Sequence, residues 1–154
     1  MYQLLDSGDK LKLEAFGAYK IIRPCSVALW PKKEPILWDN SKVNAVFTRE
    51  EKGGWLKNHL PPQWQVEVEG VKMLLSSTDF GHLGLFPEHL SQLPFLKQCV
   101  AGKQRPKVLN LFAYSGLSSC FLAKAECFVT HVDASKPVNL LAKENAALNA
   151  LEQT

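Results

Sequence analysis

No stretch of this chain approaches the roughly 20 consecutive apolar residues that a membrane-spanning helix needs. Its first ten residues include Asp6, Asp9 and Lys10 where a secretory signal would be apolar. A cytoplasmic protein is therefore expected. Cysteine is scarce: Cys25, Cys99, Cys120 and Cys127 form no CxxC pair, which excludes a zinc-ribbon pattern and argues against a disulfide framework. The four histidines, His59, His82, His89 and His131, have no partner at ligand spacing, so no metal site is expected. Charge of one sign is also lacking, with 18 Lys+Arg against 15 Asp+Glu. What excess there is sits in the front, since residues 1–63 carry 10 basic against 7 acidic side chains and residues 64–154 carry 8 of each.

With 46% hydrophobic residues among 154, the chain can build one core of ordinary size or two small lobes. The front lobe, residues 1–63, has short strand-like runs at Tyr19–Arg23 and Val43–Arg49, separated by Pro31 and Pro35. It is expected to be β-rich and irregular. Basic and aromatic residues interleave there, as in Tyr19-Lys20, Trp30-Pro31-Lys32-Lys33 and Trp55-Leu56-Lys57, a pattern that suits RNA and equally describes a solvated surface.

Residues 64–154 form the second expected domain. Gln65 to Leu75 alternates around Glu69-Gly70, which predicts a β-hairpin. After the Gly81–Glu88 loop, Leu90, Leu93, Leu96 and Val100 give one apolar face that Pro94 should split or kink, with Gly102 as a stop. Beyond it the order is regular: a buried strand at Lys107–Phe112, a helix at Leu117–Ala125, a strand at Phe128–Val132 and a helix at Lys136–Leu151. Ser135 is the expected cap of the last helix, with Pro137 in its first turn.

That βαβα order implies two parallel strands joined by a right-handed crossover, and ligands of such sheets lie at the carboxyl ends of the strands. Ala113-Tyr114-Ser115-Gly116 stands at the first end and Asp133 at the second. Gly116 would admit close approach of a ligand, and a carboxylate can accept from both ribose hydroxyls of an adenosine. Gly116 is alone, whereas dinucleotide sites use GxGxxG beneath a pyrophosphate. A cofactor with an amino-acid tail is favoured, although in the plainer reading Gly116 only turns the chain and Asp133 only caps a helix.

The strings VLNLFAYSG (Val108–Gly116) and VTHVDAS (Val129–Ser135) resemble the first two cofactor motifs of class I S-adenosylmethionine-dependent methyltransferases. Together with HLGLFPEH (His82–His89) and LLDSGDKLKLEAFGAYKIIRP (Leu4–Pro24), they resemble a subgroup that includes bacterial large-subunit ribosomal RNA methyltransferases, cytosine-C5 enzymes among them. The resemblance implies an α/β fold in which the β-rich lobe precedes the first βαβα portion of a Rossmann-like methyltransferase sheet. It implies S-adenosylmethionine as cofactor, with Ala113, Tyr114, Ser115 and Gly116 beside the methionine end, Asp133 on the ribose, and Ala134 and Ser135 flanking the adenine. Leu85, Phe86, Pro87 and Glu88 would close over the methionine end. Ribosomal RNA is the implied substrate.

Asn110 stands where many such enzymes carry aspartate, and Leu117-Ser118-Ser119 is bulkier than the usual sequel to the glycine. The base-positioning motif, an aspartate or asparagine followed by two prolines, is not found, so no catalytic residue is named. A truncated, inactive chain that self-associates through an uncovered sheet edge is the expectation. A cytosine-C5 target would need a cysteine nucleophile, for which Pro24-Cys25 is a weak candidate, and a guanine-N7 target only positioning. Two other classes stay open: a non-catalytic RNA-binding module, and a nicotinamide-type oxidoreductase, against which the missing glycines weigh.

Overall fold

The structure, a computed structural model, describes residues 1–50 and 53–151. The last three residues of the expected second domain therefore lie outside the described residues. Two compact units are present, Met1–Val66 with Ser76–Leu83, and Glu67–Leu75 with the residues from Gly84 onward.

The first unit is built on a five-stranded sheet of strands β1 (Tyr2–Gly8), β2 (Leu11–Phe16), β3 (Tyr19–Pro24), β4 (Ala45–Thr48) and β5 (Gly54–Asn58), in that spatial order. All neighbours are antiparallel except β3 and β4, which run parallel. β2 and β3 are buried on both faces: Leu13 and Ile22, opposite each other in register, pack with Val43 on one face, Phe16 and Ile21 lie on the other, and Ala45 and Phe47 are buried as well. One charged pair shares this interior. Arg23 donates through Nε to Glu14 Oε2 at 2.8 Å and through Nη2 to Glu14 Oε1 at 2.9 Å, and its Nη1 reaches the Gly81 carbonyl at 3.1 Å. Tyr2 and Lys12 add to Glu14, so the buried carboxylate is amply satisfied.

Strands β6 (Trp64–Val68) and β7 (Val71–Leu75) form the expected hairpin, with Glu69 and Gly70 both at positive φ as a two-residue turn of matching twist requires. A 3-10 helix at Pro87–Gln92 then runs into helix α1 (Leu93–Val100), with Pro94 in the first turn of α1, where a missing N–H costs nothing. Strand β8 (Lys107–Leu111), helix α2 (Leu117–Lys124), strand β9 (Phe128–Val132) and helix α3 (Lys136–Leu148) follow. β8 and β9 pair in parallel register, Lys107 opposite Phe128 through Leu111 opposite Val132. The α/β fold expected from the sequence is thus the observed one.

Two expectations need correction. Lys107–Phe112 is not a buried strand: its exposure alternates, and Leu109 and Leu111 are 61% and 54% exposed. Among the described residues, helices cover the Val108 and Asn110 side alone. Ser135 stands at the N-cap of α3 but makes no side-chain capping bond; its amide instead donates to Asp133 Oδ1.

Candidate functional site at the carboxyl ends of the parallel strands

β8 ends where its backbone turns left-handed. Phe112, Tyr114 and Gly116 take φ of +53°, +52° and +90°, with Ala113 and Ser115 between them. For glycine that is free, whereas bulky residues pay about 1–2 kcal/mol each, so the neighbouring contacts must hold the turn in place. Five hydrogen bonds do so. Ala113 N donates to Val132 O at 3.1 Å, Gly116 N to Ala113 O at 3.2 Å, and Tyr114 N to Asp133 Oδ2 at 2.9 Å. Ser115 Oγ reaches Gly84 O at 2.5 Å, and Ser115 O accepts from Asn145 Nδ2 at 2.9 Å.

Asp133 joins the two strand ends. Besides Tyr114 N it accepts the Ser135 amide on Oδ1 at 2.9 Å, and its backbone carbonyl accepts Asn139 Nδ2 at 2.7 Å. The Ser135 and Tyr114 amides hold its carboxyl below the ordinary carboxylate range, so it stays ionised. Each oxygen keeps lone-pair capacity beyond its one amide, which two vicinal hydroxyls could use. An adenosine ribose fits this acceptor set.

Gly116 is a glycine for reasons internal to the fold. Its φ of +90° strains any residue with a β-carbon, and that carbon would sit 3.3 Å from Ala142 Cβ, a tight contact that α3 would have to relieve by a few tenths of an ångström. Leu85 is buried next to Gly84, and Phe86 stacks on Tyr114 with ring centroids 4.4 Å apart. The loop and the turn are thereby brought together. Pro87 is buried at the start of the 3-10 helix, Glu88 is exposed on it, and Ala134 and Ser135 are exposed beside Asp133.

On the helix side, a cavity of about 780 Å³ lies among α2, β9 and α3, lined by Gly116 and Asp133 but by none of the other expected residues. Asn110 Nδ2 donates to Ser119 Oγ at 2.9 Å, and that oxygen lies 2.9 Å from His131 Nδ1. Asn110 is thus spent on holding α2 rather than facing a ligand. Burial raises the Cys120 thiol to about 11 and raises Cys127 also, so both are held as unreactive thiols. Among the described residues no cluster of His, Cys, Asp and Glu is placed to hold a metal, and no helix is long and apolar enough to cross a membrane.

Asn145 is the residue that sequence reasoning missed. It is fully buried within the stripe Val138, Leu141, Ala142, Leu148, and an asparagine at the apolar spacing of a helix was the available signal.

No family model matches the chain. Over 90 residues it is 42% identical to a ribosomal RNA large subunit methyltransferase K/L of Pseudoalteromonas atlantica, covering 57% of this chain and 12% of that protein. The protein of the same name from Alteromonas mediterranea is 39% identical over 88 residues, 56% of this chain and 12% of its own length. Among solved structures, the SAM-dependent methyltransferase from Agrobacterium tumefaciens is 43% identical with a TM-score of 0.88, covering 99% of this chain and 50% of that one. A Streptococcus mutans structure at 16% identity has a TM-score of 0.74 and covers 99% and 44%. The chain spans about half the length of these solved structures and a smaller share of the curated relatives. Its fold is the α/β fold of S-adenosylmethionine-dependent methyltransferase structures.

Proposed function

We propose that this chain carries the cofactor-binding part of an S-adenosylmethionine-dependent methyltransferase whose substrate is ribosomal RNA. The observation that carries the reading is a single ionised carboxylate, Asp133, tying together the ends of two parallel strands beside a left-handed turn. The 43% identity to a SAM-dependent methyltransferase and the names of the ribosomal RNA relatives support it. When bound, the cofactor supplies an activated methyl group. The chain's own residues bind and orient. Asp133 accepts the ribose hydroxyls, the Ala113–Gly116 turn lies along the methionine end, Leu85 to Glu88 close over that end, and Ala134 and Ser135 flank the adenine.

Within the same reading, residues 1–63 serve RNA contact and residues 64–154 cofactor binding. Of the basic and aromatic pairs there, Trp55 is packed on Phe47 and Tyr19 on Trp64. Trp30, 52% exposed, is left beside Lys32 and Lys33 as a stacking platform. The uncovered edge of the β8–β9 sheet allows self-association, and an rRNA substrate implies the cytoplasm.

Calorimetric titration of the chain with S-adenosylmethionine and with NAD tests the proposal. The expected result is tighter binding of S-adenosylmethionine, weakened about tenfold or more by Asp133→Ala, the scale of a lost charge-assisted acceptor. Tighter binding of NAD overturns the reading, and an unchanged dissociation constant in folded Asp133→Ala removes that residue from the site.

A further inference from the structure

The peptide linking Ser115 to Gly116 is the least sterically constrained part of the turn. A residue with a β-carbon at 116 would resist rotation of this peptide, but glycine accepts φ of either sign, so hydrogen bonds must set its orientation. Its N–H donates to Ala113 O at 3.2 Å and its carbonyl accepts from Asn145 Nδ2 at 2.9 Å. Asn145 uses the other end of its carboxamide as well, Oδ1 accepting the Leu74 amide at 2.8 Å. Those two partners fix which way the carboxamide faces. Reversed, it would set donor against donor at Leu74 and acceptor against acceptor at Ser115.

One turn further along α3, Asn149 makes a similar bond to β7 without the link to the turn. Its Oδ1 accepts Lys72 N at 2.9 Å and its Nδ2 donates to Lys72 O at 2.7 Å. Both asparagines therefore dock α3 on the edge of β7, and Asn145 alone of the two also holds Ser115.

We infer that Asn145 is a positioning residue for the ligand turn, its buried carboxamide holding the Ser115 carbonyl toward α3 so that Gly116 cannot swing this peptide over. A flipped peptide would set the Ser115 carbonyl against the Ala113 carbonyl that now accepts the Gly116 N–H, acceptor against acceptor, and so open the turn. What the turn binds rests on the cofactor reading above; the clamp itself does not.

The test compares Asn145→Ser with Asn149→Ser in the chain of residues 1–154, each serine being too short to replace the carboxamide. Measured by NMR, the protection factor of the Gly116 amide is expected to fall about tenfold or more in Asn145→Ser and to hold within about twofold in Asn149→Ser. The dissociation constant for S-adenosylhomocysteine should weaken in the same ratio. Asn145→Asp is the second variant and adds a signature that simple loosening lacks. Its carboxylate cannot donate to Ser115, but protonation restores a donor, so Gly116 protection should return as pH falls. Equal loss of protection in the two serine variants, or no loss in Asn145→Ser, overturns the clamp. If Asn145→Ser does not fold, protection in Asn145→Asp that does not respond to pH overturns it. A wild-type chain that binds no S-adenosylhomocysteine, with the contrast in protection intact, overturns the cofactor reading and leaves the clamp standing.

Discussion

The five-stranded sheet of the first unit and the parallel pair β8–β9 solve the same burial problem to different degrees. In the first, three of the four strand pairings are antiparallel, and Leu13, Phe16, Ile21 and Ile22 of β2 and β3 are wholly or almost wholly buried, on both faces. In the second, helices cover one face, while Leu109, Leu111, Phe128 and Val132 stay exposed on the other. The contrast follows from topology. An antiparallel sheet can be completed by short hairpins and leave one polar face wet, whereas parallel strands depend on crossover elements for both faces. The first unit is thus rich in local closure, and the parallel pair has apolar surface to spare.

The largest loss is expected at Glu14. Glu14→Ala strands the Arg23 guanidinium in the core and should cost about 3–5 kcal/mol in urea unfolding, whereas a paired replacement by Leu and Met at 14 and 23 should recover most of it. A small loss in the single variant would mean that water reaches the pair. Next, Leu13→Ala should cost about 2–5 kcal/mol, and Leu109→Ala less than about 0.5 kcal/mol. Equal losses would reveal that the open face of β8–β9 is covered in solution, and sedimentation would then find an assembly.

Smaller still, Phe112→Gly should raise stability by about 0.5–1 kcal/mol, the left-handed strain relieved less the entropy of a glycine. The phenyl ring is 91% exposed, so little packing is lost with it. Destabilisation would show that the ring is engaged.

In the first unit, Asp6 shapes the acid limb of the stability curve. Burial pushes Asp6 up, but hydrogen bonds from Trp38 and the Glu34, Ser7 and Lys33 amides outweigh it, leaving its pKa below the ordinary 3.8. The unfolded chain binds that proton first. Stability from Asp6 is therefore complete above about pH 3.8 and lost as pH falls through the lower folded value. Asp6→Asn should flatten that part of the acid limb in a pH titration of unfolding.

What the sequence made legible follows from turn chemistry. Glu69-Gly70 announces a hairpin because a glycine sits where φ is positive, but the β1–β2 turn uses Asp9 and Lys10 at φ +51° and +62°, with no glycine to mark it. Strands β1 and β2 went unread for that reason, and the register shift between Leu4 and Asp6 blurs the alternation of β1 further. The β8-to-α3 order was readable because its apolar runs and Pro137 are local signals. The turn was readable in position and hidden in shape, since left-handed φ at Phe112 and Tyr114 is imposed by tertiary bonds against their own preference. Asn145 is marked in the sequence only by its place in an apolar helical stripe, and its partners are hidden because they lie 30 and 71 residues away.

Those separations set an order of events on a growing chain. The β6–β7 hairpin closes a loop of a few residues and can form as soon as Leu75 is made, but the edge of β7 and the carbonyl of Ser115 wait for Asn145, 71 residues after Leu74 and 30 after Ser115. Until that helix emerges, the Ser115–Gly116 peptide has the Ala113 carbonyl but not its Asn145 partner. The Ala113–Gly116 turn is therefore completed only once α3 has been made, and any small molecule recognised through it can stabilise the chain only from that point on.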